Sequence, residues 1–267
     1  GLVLYFICFK STREVVKRDV ESPALKDSVG TLFTNRPLMM LCVVALCVLI
    51  GYFALTASAM YYARYVLGDA KLFVTMIVII ALIGTLIAAP LVPMLVGRFG
   101  KKNAFLLGLG LGAAGFTSLF LTSAATIGMV YFSLGLGAVG VMMSMTVMWA
   151  LEADTVEYGE WKTGIRAEGS VYTGYTFSRK ISAALAGFLP GIMLTQIGYV
   201  PHAVQSAGTL LGLRQLIFLW PCGLAIVAAV TMGLFYKLNE ARFAFIIEEI
   251  GKRIYGHSRF CNTDFDD

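Results

Sequence analysis

An all-α membrane protein of six transmembrane helices is what this sequence predicts, on three observations. Of its 267 residues, 58% are hydrophobic and only 14% charged, where soluble domains carry about 25% charged residues. Mean hydropathy is +0.78. The apolar residues also fall into long runs separated by short polar connections, the pattern of a polytopic chain whose outer solvent is lipid.

The elements follow in order. Residues 2–9 form an apolar run ahead of the first basic residues, shorter than the roughly 20 needed to cross a bilayer. It reads as the last turns of a helix whose beginning is missing, so the chain is expected to be the C-terminal part of a longer protein. A polar loop covers 10–36. Spans are expected over 37–62, 72–96, 104–123, 126–151, 170–197 and 213–236, with a polar tail over 237–267. Within that tail, 238–254 alternates apolar and charged residues at helical spacing, which predicts an amphipathic helix lying along the membrane face.

Charge distribution supplies an orientation. Lys and Arg concentrate in alternate connections: Arg13, Lys17, Arg18 and Lys26, then Arg98, Lys101 and Lys102, then Lys162 and Arg166, and the tail with Lys237, Arg242, Lys252, Arg253 and Arg259. Basic loops stay on the cytoplasmic side. The expectation is an integral multi-pass protein of the plasma (inner) membrane with both termini cytoplasmic. The net charge of +5 is then an orientation signal, and no nucleic-acid partner is implied. Membrane lipid is the expected surrounding.

The five cysteines, Cys8, Cys42, Cys47, Cys222 and Cys261, have no zinc-ligand spacing and are odd in number, so they read as small packing residues. His202 and His257 are the two histidines and neither has a partner motif. No nucleophile elbow, HExxH or paired acidic motif is present. The expectation is no enzyme, no metal site, no cofactor and no catalytic residue.

The span over 170–197 carries the chemistry. Arg179 and Lys180 interrupt it, and Lys180 lies about ten residues in, roughly 15 Å at 1.5 Å per residue. That is half of a hydrocarbon core of about 30 Å, so the ammonium sits near the midplane, where ionisable groups mark solute or ion pathways. Tyr172, Thr176 and Lys180 recur every four residues on one face, with Tyr175, Arg179 and Ser182 on the adjacent stripe. This polar seam reads as a cavity wall; the alternative is a buried ion pair with an acid on a neighbouring helix. Lys180 is the better candidate ligand group and Arg179 the better structural one.

Other spans add neutral polar groups. Tyr52 and Thr56 at i, i+4 suit a hydroxyl-rich solute or, equally, helix–helix hydrogen bonds. Trp149 suits an interfacial belt or stacking on a sugar ring. Gly128, Gly135, Gly137 and Gly140 are read as sites of close helix packing. In the turn Gly97-Arg98-Phe99-Gly100-Lys101-Lys102-Asn103, the glycines permit a tight bend, and Arg98 can offset the C-terminal dipole of the preceding helix. Candidate substrate-binding residues are thus Lys180, Trp149, Tyr52, Thr56, Tyr172 and Thr176. Arg179, Glu152, Asp154, Glu157, Arg166 and Arg98 are the gating or structural candidates, with Glu152 and Asp154 expected to pair with Lys162, Arg166 or a facing half.

The strip Asp154-Thr155-Val156-Glu157-Tyr158-Gly159-Glu160-Trp161-Lys162-Thr163-Gly164-Ile165-Arg166-Ala167-Glu168-Gly169, followed by Phe177-Ser178-Arg179-Lys180 and Gly198-Tyr199, resembles the signature of the glycoside–pentoside–hexuronide:cation symporters, melibiose permease-like members of the major facilitator superfamily. The turn 97–103 is similar to the basic loop between the second and third helices of a half in that superfamily. The resemblance implies a twelve-helix fold of two six-helix halves, of which this chain is the C-terminal half preceded by the end of the sixth helix. It implies secondary active symport of a sugar or glycoside by alternating access, with the sugar held between the halves. The coupling cation, sodium or proton, would be bound mainly by the N-terminal half, which is the expected partner. Lys180 matches the position of a lysine on the eleventh helix close to both sites, and Trp149 falls near an aromatic sugar contact on the tenth. A six-helix module that transports only with a separate first half, and a relative carrying a non-sugar solute, are the alternative readings.

Overall fold

A computed structural model describes residues 2–12, 30, 32–122, 126–201 and 203–255. Most of the 10–36 loop, His202, His257, Cys261 and the tail beyond 255 lie outside the described residues.

The described chain is helical throughout. Helix α1 is Leu2–Ser11, with its apolar side chains exposed. Five helices among the described residues are long and apolar enough to cross a membrane: α2 Arg36–Val66, α3 Val74–Phe99, α4 Lys101–Leu121, α5 Ile127–Thr163 and α7 Ala207–Phe235. Between the last two runs α6, Glu168–Gln196, the sixth long helix of the bundle. Its 29 residues reach roughly 44 Å at 1.5 Å each. Arg179, Lys180 and its hydroxyl residues keep its hydropathy below that of its neighbours. Helix α8 is Glu240–Tyr255.

Local chemistry sets the ends. Asn35 caps α2, accepting from Leu38 N at 3.1 Å and donating from Nδ2 to the Thr155 carbonyl at 2.7 Å; Pro37 follows in the first turn, where its missing N–H is harmless. Gly100, at φ 80°, turns the chain from α3 into α4, and a Cβ there would also lie 2.8 Å from Glu240 Cγ. Helix α5 runs well past the apolar span predicted to stop at 151. The polar strip continues the helix until Gly164, at φ 74°, closes it in the left-handed conformation that glycine adopts most readily. Five-residue π-helical turns interrupt α2 at Tyr62–Val66, the third helix at Ile79–Ile83 and α7 at Gln215–Leu219.

Helix α4 packs closely on α5, α2 lies against α6 and α7, and α3 lies against α5. The α4–α5 contact is nearly backbone on backbone. A Cβ added to Gly140 would fall 2.2 Å from Gly112 N, and one on Gly115 would fall 2.2 Å from Gly137 N. Gly137 and Gly140 therefore serve close packing, whereas Gly128 and Gly135 have open space beside them.

The main core draws on all six long helices, α2 to α7, and extends to Ile246 and Ile250 of α8. The amphipathic α8 thus turns part of its apolar face into the bundle rather than lying wholly along a membrane surface. Phe245 and Ile247 stay exposed. The basic connections gather at one end of the bundle. There Lys102 Nζ donates to the Gly233 and Tyr236 carbonyls at 3.0 and 2.8 Å, and Lys162 Nζ donates to the Thr34 carbonyl at 2.9 Å. At the opposite end Tyr65 and Tyr199 share a hydroxyl–hydroxyl bond of 2.9 Å. Arg214 there donates to the Phe120 and Thr122 carbonyls at the end of α4.

Candidate functional site

Two polar regions lie along α5 and α6. The first is the meeting of the α6 seam with α5. Arg179 places its guanidinium 4.6 Å from the centre of the Trp149 ring and 5.9 Å from that of Tyr175. The two rings meet edge to face at 5.8 Å. A guanidinium over an indole face is attracted by the ring quadrupole, more strongly where water is excluded. Glu152, one turn beyond Trp149 on α5, is 6% exposed, and the opposite charge acting on it is Arg179. Cys42 of α2 reaches the same junction, its Sγ 4.0 Å from the Gly174 carbonyl. Arg179 is therefore embedded among two rings and a buried carboxylate.

Lys180 stands apart. It is exposed and has no hydrogen bond, ion pair or ring contact among the described residues. On its stripe Tyr172 is exposed, while the Thr176 hydroxyl is buried without a partner among the described residues; the Tyr175 ring on the next stripe is buried beside Arg179. Buried hydroxyls left unpaired are costly, about 1–3 kcal/mol each, and such groups in native proteins call for a partner.

The neutral candidates on α2 are not brought to this face. Tyr52 lines an apolar cavity of about 30 Å³ between α2, α4, α5 and α7, none of whose walls belongs to α6. That space holds about one water, not a sugar. Thr56 donates to the Phe53 carbonyl of its own helix at 3.0 Å.

The second region is an ion network at the basic end. Arg166 bonds Glu157 at 3.0 Å, Glu160 at 2.7 Å and Glu168 at 2.5 Å. Burial alone would lower its proton affinity, but the three carboxylates outweigh that and hold the guanidinium above its usual range. Asp154 pairs with Lys101 Nζ at 2.6 and 2.8 Å. Of the partners expected for Glu152 and Asp154, Lys162 and Arg166 are thus corrected; a facing half lies outside this chain. Arg166 is taken by acids of its own strip, Lys162 by a carbonyl, and Asp154 by α4, which the tight α4–α5 contact brings alongside. Helix α8 closes over this end: Lys101 N donates to Glu240 at 2.7 Å, Trp161 Nε1 donates to Glu249, and Arg253 donates to the Trp161 carbonyl at 2.8 Å. Arg98 is exposed, its guanidinium 5.4 Å from the Phe99 ring centre. Tyr175, which the sequence places on the polar seam but not among the candidate ligands, packs on Trp149 in the site, and Asn35 was missed as a cross-link. The second was signalled by Asn-Arg-Pro, a helix-start pattern; the first was visible only as a neighbour on the Arg179 stripe.

Residues 1–240 match the family described as MFS/sugar transport protein. A Salmonella typhimurium (strain LT2) protein, provisionally named a sulfoquinovose importer, is 54% identical over 256 residues, covering 95% of this chain and 54% of that protein. The glucuronide carrier protein homolog of Escherichia coli (strain K12) is 47% identical over 253 residues, 95% of this chain and 55% of its own length. A further Salmonella typhimurium (strain LT2) relative, provisionally named a 2,3-dihydroxypropane-1-sulfonate exporter, is 44% identical over 258 residues, 95% of this chain and 56% of its own length. The chain thus spans about half the length of these relatives. With its all-helical bundle, its long apolar helices and this match along nearly its whole length, the chain belongs to the MFS/sugar transport protein family, whose members are transporters.

Proposed function

We propose that this chain serves as the C-terminal half of a secondary active transporter that carries an anionic sugar or glycoside together with a cation, sodium or proton, by alternating access. One observation carries the reading: an ammonium on a long helix of the bundle, Lys180, has no partner among the described residues. A charge at mid-membrane depth faces water, a ligand or a facing carboxylate, because lipid leaves it unsolvated. Two adjacent cations against the single carboxylate of Glu152 leave the face net positive. That suits the compounds in the names of the relatives: sulfoquinovose and 2,3-dihydroxypropane-1-sulfonate carry a sulfonate, and a glucuronide carries a carboxylate.

In this reading the substrate lies between the two halves, and Lys180 offers its three N–H donors to hydroxyls or to the anionic group. Trp149 supplies a flat edge to the same space, its indole already held by Arg179. The coupling cation is bound mainly by the N-terminal half, and its binding sets the charge balance that lets the substrate settle. The two halves then rock about the site, in the plasma membrane with the termini cytoplasmic. The ion network around Arg166 and Lys101 tightens the cytoplasmic end. No reaction is catalysed.

The test uses the full-length protein in proteoliposomes with an imposed sodium or proton gradient and labelled sulfoquinovose or a glucuronide. Lys180→Ala is expected to reduce accumulation to the gradient-free level, with Lys180→Arg retaining part of it. Wild-type accumulation by Lys180→Ala would remove this residue from the site, and accumulation indifferent to both gradients would remove the coupling.

A further inference from the structure

A second cationic site lies at the basic end of the bundle, away from the α5–α6 face. The start of α2, the end of α7, the start of α8 and Tyr158 of α5 enclose a cleft of about 540 Å³. Three cations line it: Arg36, Lys237 and Arg242. No carboxylate does among the described residues. All three are exposed, and none has a side-chain hydrogen bond, ion pair or ring contact among the described residues.

The acids nearby are committed elsewhere. Glu240 accepts from Lys101 N, Asp154 holds Lys101 Nζ, and Glu157 and Glu160 hold Arg166. The carbonyls at the end of α7, which would otherwise draw a cation, are covered by Lys102. Three like charges from separate elements therefore converge on one cleft with no counter-charge among the described residues. Like charges repel unless an anion lies between them. The remaining walls include Met40 and Phe235, at the ends of two membrane-spanning helices, where a ligand with a charged head and an apolar body fits.

We propose that this cleft binds the headgroup of an anionic phospholipid: the phosphate lies among Arg36, Lys237 and Arg242, and the acyl chains run down past Met40 and Phe235. Basic pockets between helix ends at the cytoplasmic leaflet recognise lipids by this combination of charge and apolar wall. The arginines add planar, bidentate donors that match phosphate oxygens. The inference depends on the chain spanning a membrane and not on the transported substrate.

Native mass spectrometry on the full-length protein, delipidated and titrated with phosphatidylglycerol or phosphatidylcholine, tests it. The wild type is expected to retain phosphatidylglycerol roughly tenfold more strongly, at about the strength surface cations give. The triple variant Arg36→Ala/Lys237→Ala/Arg242→Ala is expected to bind the two lipids equally, with its thermal midpoint in phosphatidylcholine unchanged. Lys237→Gln alone is expected to give an intermediate ratio and serves if the triple variant does not fold. Equal retention by the wild type, or full preference kept in the variants, overturns the proposal. Glycerol phosphate or inorganic phosphate binding as well as the lipid also overturns it, since the cleft would then read a soluble anion. Binding of phosphatidylglycerol only after removal of residues 13–29 overturns it too, since that segment would then be the occupant.

Discussion

Helix α5 has two unlike flanks. Toward α4 it presents Gly137, Gly140 and Ser144, and the two backbones come so close that a methyl group cannot be inserted; Ser144 turns its hydroxyl back to the Gly140 carbonyl at 3.1 Å. Toward α6 it presents Trp149 and Glu152, met by Tyr175 and Arg179, with the Thr176 hydroxyl unpartnered and Lys180 free among the described residues. The first flank is complete in itself. On the second, polar groups remain unsatisfied, which a bundle with lipid outside tolerates only where water, a ligand or another protein surface supplies partners. One helix can therefore be a fixed wall and a binding face at once, because the rigidity of the glycine contact holds the other side in register.

The largest expected effect breaks the wall. In Gly140→Val the new Cβ meets backbone atoms of Gly112 and Gly108 at 2.2–2.7 Å, and backbone cannot rotate away as a side chain can. The helices must separate, losing well over about 3 kcal/mol of packing or the fold itself, read as folded yield and thermal midpoint in detergent. Gly135→Ala, with nothing within 4 Å, serves as the control and is expected to hold its midpoint. A tolerated Gly140→Val would mean that α4 and α5 can part, and the fixed-wall half of the comparison would fall.

How far the chain could be read before folding follows the same division. Hydropathy marks where lipid-facing residues are, so the long helices were legible. It stops being informative at residue 151, because helix continuation through Glu152 to Thr163 depends on backbone hydrogen bonds and the Gly164 closure rather than on apolarity. The polar seam of α6 was legible from its spacing of four. The pairing of charges between distant helices was not. Asp154 and Lys101 are 53 residues apart and meet only because glycines draw α4 and α5 together. Tyr52 lines a cavity with no wall from α6, since a spacing of four places two residues on one side of a helix without saying which neighbour that side meets.

A middle-sized effect tests the ion network. Arg166→Ala takes the cation from Glu157, which is partly buried, and is expected to destabilise the folded protein by about 1–2 kcal/mol, more than an exposed pair and less than a fully buried one. Arg166→Lys is expected to fall between, since an ammonium cannot serve three carboxylates in a plane. The sign of any pH effect is fixed. A guanidinium whose proton affinity rises on folding stabilises at every pH below its already high unfolded value, so this contribution is flat across the range in which the protein can be handled. A midpoint unmoved by Arg166→Ala would show the network to be surface decoration.

The smallest expected effect on stability is that of Lys180→Ala, read against its neighbour Arg179→Ala. Arg179→Ala removes the contact with Trp149 and leaves Glu152 buried without the charge that faces it. A loss of about 1–3 kcal/mol is expected, read as a lowered unfolding midpoint in detergent. Lys180→Ala removes a group that contributes no contact to the described chain, and the midpoint is expected not to move. The same substitution is the one expected to stop transport, so the pair of measurements dissociates fold from function at adjacent positions. Were Lys180→Ala to lower the midpoint as far as Arg179→Ala does, the ammonium would be paired with a carboxylate of the full-length protein in its resting state. The open flank of α5 and α6 would then be a buried structural seam, with its free charges satisfied by the facing half rather than by a solute.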